Sequence, residues 1–239
     1  MARQRVGRTE NSTLKDFRSS ALSHCIQGAF SLLRSLVFCA ALLSSWQAAA
    51  QQQLPKQADL HFEQGMQFLK QQNWQDAASE FREVIKINPQ RAQAHNMLGQ
   101  ALEKLGEREA SLAAFRRSIG IDPSNAEAHY NLGLALGEFG NLQEAVAELG
   151  QAVTLKADFE AAHLALGLIW LKSGEFDRAI AEYKAVLKIN PRSVDGHNWL
   201  GVTYDQKNEP LPAIQEFEQA IALDPSYVRA YNNLGLVLI

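Results

Sequence analysis

The chain predicts an all-α fold, a solenoid of stacked 34-residue helix-turn-helix units. Three observations carry this. His61, His95, His129, His163 and His197 each stand 34 residues from the last. Leu-Gly follows four of them at a fixed distance (Leu98-Gly99, Leu132-Gly133, Leu166-Gly167, Leu200-Gly201), with Gln64-Gly65 in the first copy and Tyr231 with Leu234-Gly235 in a sixth, partial one. Asn-Pro or Asp-Pro then closes the units, at Asn88-Pro89, Asp122-Pro123, Asn190-Pro191 and Asp224-Pro225. Self-similarity at a period on the order of 20 to 50 residues marks a stacked repeat protein, and this period suits two short helices and their turns. No single deep core is needed, because each unit buries its apolar face against its neighbours.

Residues 1–50 read as an export signal preceding the array. They hold six basic residues (Arg3, Arg5, Arg8, Lys15, Arg18, Arg34) and two acidic ones (Glu10, Asp16). An uncharged apolar run from Ser35 to Trp46 follows, and then Gln47-Ala48-Ala49-Ala50. A basic start, an apolar stretch of about 7 to 15 residues and an Ala-x-Ala site make a secretory signal peptide, with cleavage expected after Ala50. The expected location is periplasmic or secreted. An inner-membrane anchor over residues 35–50 is the alternative, although its apolar part falls short of the roughly 20 residues that span a bilayer. Both cysteines, Cys25 and Cys39, lie in this leader, which leaves no thiol chemistry to the rest. Residues 51–57 form a Gln-rich linker.

The units then run 58–91, 92–125, 126–159, 160–193 and 194–227, with a partial copy at 228–239. In the third, Leu132, Ala135, Leu136 and Phe139 share one helical face, as do Leu142, Ala145, Val146, Leu149, Ala152 and Val153; steps of three and four define both faces. Gly106, Gly140 and Gly174 sit where the chain must turn between helices, with Asn73 and Asn208 in nearby or equivalent places. The residue before each closing proline is driven out of the helical region. Ala157 replaces proline in the third unit, which predicts a looser turn or a longer helix there. Pro210 and Pro212 fall at the start of a helix, where proline is tolerated.

Composition excludes several functions. Of 23 basic and 26 acidic residues, 17 and 24 lie beyond the leader, a net charge of about −7. There is no basic stripe for a phosphate backbone, so nucleic acid is not an expected partner. No His-Glu-x-x-His, Gly-x-Ser-x-Gly or phosphate-loop motif occurs. Gly133, Gly137 and Gly140 lie in and after a helix with no preceding strand, unlike a dinucleotide loop. Neither catalysis nor a cofactor is expected. Zinc ligands must converge within about 2.1 Å of one ion, whereas residues one repeat apart stand on the order of 10 Å from each other. The histidine ladder is therefore read as packing, each imidazole filling a slot against its neighbouring helix with local hydrogen bonds.

The aligned positions resemble the tetratricopeptide repeat. That family's small residue at the helix contact matches Gly65, Gly99, Gly133, Gly167, Gly201 and Gly235. Its small residue early in the second helix matches Ala77, Ser111, Ala145, Ala179 and Ala213. The large apolar residue four later matches Phe81, Phe115, Leu149, Tyr183 and Phe217, and the terminal proline Pro89, Pro123, Pro191 and Pro225. The resemblance covers about 58–239 and implies a right-handed superhelix whose first helices line a concave groove. The implied lining is Phe62, Asn96, Tyr130, Leu164, Asn198 and Asn232, with Met66, Gln100, Leu134, Leu168 and Val202 one turn on. Glu103 and Asp205 add negative charge, and Leu69 and Leu171 apolar area.

What this resemblance implies is a non-catalytic protein-protein interaction scaffold that binds a peptide or partner protein in the groove. The alternative is the substrate-recruiting arm of a larger enzyme, such as the glycosyltransferases similar in their Ala-x-Ala-Tyr/His-x-Asn-Leu-Gly helices, with this chain a fragment. Self-association through the uncapped C-terminal helix is a third expectation, because Leu234, Leu236, Val237, Leu238 and Ile239 have no predicted partner helix and solenoids normally end on a polar cap.

Overall fold

A computed structural model describes residues 53–238. The leader, its cleavage site and the first residues of the linker lie outside the described residues. Those described form eleven α-helices and no strand. Helix α1 spans 53–70 and is followed by α2 (Trp74–Ile87), α3 (Ala92–Lys104), α4 (Arg108–Ile121), α5 (Ala126–Glu138) and α6 (Leu142–Leu155). Then come α7 (Glu160–Lys172), α8 (Phe176–Ile189), α9 (Val194–Gln206), α10 (Pro210–Leu223) and α11 (Val228–Val237). Odd-numbered helices open the units and even-numbered ones close them.

Each pair turns on one left-handed residue. Gly106, Gly140 and Gly174 take φ of 77°, 85° and 75°, which costs glycine nothing because it has no Cβ. In the fifth unit Asn208 does so at φ 60°, and in the first it is Gln72 at φ 59°. Asn73, expected near this place, is the next residue and caps α2, its side chain accepting from the backbone N–H of Asp76. Counting back 34 residues from Gly106 gives Gln72, so register prevails over the turn preference of asparagine.

Asn88, Asp122, Asn190 and Asp224 are extended ahead of their prolines, with φ between −136° and −129°. Lys156 adopts φ −138° and ψ 92° although alanine follows it. Helix α6 ends at Leu155 with the same 14 residues as its counterparts. The expected loosening is absent, because packing on both sides imposes the bend that proline otherwise encourages.

Within a unit, the two helices approach closely where glycine faces a large apolar side chain. A Cβ added to Gly99 would stand 2.6 Å from the Phe115 ring, and Gly65, Gly133, Gly167 and Gly201 face Phe81, Leu149, Tyr183 and Phe217 in the same way. Between units the small residue is Ala94, Ala128, Ala162, Gly196 or Ala230, all buried. Leu60 stands at the corresponding place in the first unit and is 54% exposed. A bulky side chain is tolerated only there, where no described helix packs against it.

The histidines tie the same seams together. His61, His129, His163 and His197 place Nδ1 at 2.6–2.7 Å from Glu80, Glu148, Glu182 and Glu216, each 19 residues on and in the following helix. Nε2 of His95, His129, His163 and His197 faces the carbonyl six residues back. The local hydrogen bonds expected of the ladder are present.

Candidate binding groove

Which helices touch which defines the curvature. Successive opening helices pack directly on one another: α3 on α5, α5 on α7, α7 on α9 and α9 on α11. No two closing helices do so among the described pairs. Opening helices are thus crowded on the inner side of a curved stack and closing helices are splayed on the outer side. The inner row carries most of the residues anticipated for the groove.

That row has three stretches. In the second unit and the start of the third, Asn96 is 1% exposed and accepts a 3.1 Å hydrogen bond from the Asn131 amide. Gln100 is half-buried, and Glu103 keeps 15% of its side chain exposed while bonding Lys104 at 3.1 Å. In the middle, Tyr130, Leu134, Leu164, Leu168 and Leu171 are each half-buried. Tyr130 leans on Phe159 with ring centroids 5.0 Å apart. Burial raises its phenol above the ordinary range, and the Glu103 charge pushes in the same direction. The third stretch repeats the first, with Asn198 2% exposed and accepting from Asn233 at 3.0 Å, and Asp205 half-buried.

An open cavity of about 430 Å³ lies in this third stretch, lined by Asn198, Trp199, Val202, Arg229, Asn232 and Asn233. Asn232 is exposed. The Tyr227 hydroxyl donates to Asp195 at 2.6 Å, and the Arg229 charge partly offsets the rise that burial and Asp195 impose on its phenol.

The anticipated lining residues therefore separate into two groups. Tyr130, Leu164, Gln100, Glu103, Asp205 and Asn232 keep surface to offer. Asn96 and Asn198 are interior, because each carboxamide spends its oxygen on the neighbouring unit. Phe62 is also engaged, edge-on to Phe81 at 5.6 Å and beneath the Arg91 guanidinium at 4.1 Å. Sequence reasoning missed Asn131, Phe159, Trp199, Arg229 and Asn233. A signal was present, since Asn131 and Asn233 each stand 35 residues after the asparagine they bond.

A tetratricopeptide-repeat model matches residues 43–92, 62–126, 97–160 and 130–194, and a second repeat model matches 212–239. The chain belongs to the tetratricopeptide-repeat family. Its fold is the right-handed superhelical solenoid of that family. The crystal structure of MamA protein is similar at TM-score 0.65 and 22% identity, covering 73% of this chain and 96% of that one. YrrB, described as a TPR protein with an unusual peptide-binding site, has TM-score 0.64 and 19% identity over 77% of this chain and 95% of its own. PilF of Pseudomonas aeruginosa gives 0.67 and 20%, over 77% and 90%. No curated protein matches the chain. At these identities the likeness is one of tetratricopeptide fold.

Proposed function

We propose that this tetratricopeptide protein is a non-catalytic scaffold, exported from the cytoplasm, that binds a peptide or an extended segment of a partner protein along its inner row. The observation that carries this reading is the run of half-buried apolar side chains from Tyr130 to Leu171, bordered at both ends by carboxamides and a carboxylate. Apolar area supplies affinity, and amides at the margins suit the donors and acceptors of a peptide backbone. The peptide-binding description of YrrB supports the same class of ligand. Export rests on the basic, apolar and Ala-x-Ala succession of residues 1–50.

Selection of displayed random peptides on the purified chain tests the groove. Clones that bind the wild type and lose the Leu168→Glu variant, yet keep Leu155→Glu on α6, support it. Clones indifferent to Leu168→Glu overturn it. For export, the intact mass of the protein recovered outside the cytoplasm is expected to begin at Gln51.

A further inference from the structure

The two ends of the groove are copies of one another. Asn96, Glu103 and Asn131 recur 102 residues later as Asn198, Asp205 and Asn233, three units along. Both asparagine pairs form the same inter-unit hydrogen bond, at 3.1 and 3.0 Å. Both carboxylates sit one place beyond the apolar row and are partly withdrawn from water. The intervening units have Gly137 and Leu171 at that place, so charge is confined to the ends.

Resting on the groove reading above, we infer that the occupant is one extended partner segment with an apolar middle and a lysine or arginine side chain at each end. Helices of this kind pack about 10 Å apart, which sets the two carboxylates roughly 30 Å apart over three units. An extended chain covers that in about nine residues. Charge complementarity gives the ends their sign. Asp205 makes no ion pair among the described residues, and Glu103 has only Lys104, whose own side chain is 54% exposed and readily displaced. The array's surplus of acidic over basic residues steers a cationic segment toward it. Arg229 lines the cavity at the second end, its charge felt by the Tyr227 phenol, and makes no ion pair with Asp205.

The test is selection of displayed random sixteen-residue peptides on the full-length protein, followed by affinity measurement on synthetic copies of the clones. The expected result is enrichment of Lys or Arg at two positions about nine residues apart with apolar residues between. Glu103→Gln and Asp205→Asn should each weaken such peptides about tenfold, and Glu103→Lys should select an acidic residue at one end. Peptides that bind in the groove without a basic pair, or that ignore both substitutions, overturn this inference and leave the groove reading standing. Clones unaffected by Leu168→Glu overturn both.

Discussion

The Nδ1 nitrogen of His129 lies 2.7 Å from a carboxylate oxygen of Glu148, joining the two helices of the third unit. Its Nε2 faces the Pro123 carbonyl at 3.2 Å, so both ring nitrogens are presented to oxygens. Three other units repeat the His–Glu contact, but in the second Ala114 stands where glutamate is expected and His95 keeps only its carbonyl. Ala114→Glu should therefore stabilise the array by about 1 kcal/mol, a rise in Tm of about 2–4 °C. A fall in Tm in thermal unfolding would show that the seam beside His95 differs from the others.

Glycines of this chain divide sharply by what surrounds them. Gly99→Ala drives a methyl group into Phe115 and should cost about 1–3 kcal/mol. Gly150, inside α6, has nothing within 4 Å of an added Cβ. Its change to alanine should stabilise by about 0.5–1 kcal/mol, because the unfolded chain loses freedom at no native cost. Denaturant titration of the two variants should move the midpoint in opposite directions.

Tyr183 fills the place taken elsewhere by Phe81, Phe115 and Phe217, and its buried hydroxyl finds no hydrogen-bond partner. Desolvation raises the phenol well above its ordinary range. Tyr183→Phe keeps the ring and removes the unsatisfied group, which should stabilise by about 1 kcal/mol. A lower unfolding midpoint for this variant would reveal a partner for the hydroxyl.

Removing one half of a carboxamide pair should hurt more than replacing both. Asn131→Ala leaves the buried Asn96 oxygen unpaired, at a cost of about 1–3 kcal/mol. Combining it with Asn96→Leu, after Leu164 and Ala165 at the matching places of the fourth unit, should recover much of the loss. A double-mutant cycle checks the sign of the coupling; independent, additive effects would contradict a shared bond.

Most of the fold was legible from register alone, because period, helix faces and closing prolines repeat often enough for each unit to calibrate the next. At two places register overrides local preference. Gln72 is a poor left-handed residue and Ala157 a poor helix stop, yet both take the geometry their repeat position demands. The inner row was legible as a row but not in its burial. A half-buried leucine and a fully buried asparagine occupy equivalent sequence positions, and only the neighbouring unit decides which side chain is consumed. Asn96 looked available because its partner, Asn131, belongs to the next repeat. Trp199 and Arg229 escaped notice because the cavity they border opens between α9 and α11, which lie a full closing helix apart in sequence.

The restriction of packing to helices at most two apart in the chain also bears on how the protein is made. Relative contact order is low, so no long loop must close before native contacts form, and fast folding is expected. As synthesis proceeds, each opening helix meets partners that have already been made, and α3 can dock before α9 exists. The array can thus grow behind the moving chain end, one helix at a time, with little apolar surface waiting for a distant partner.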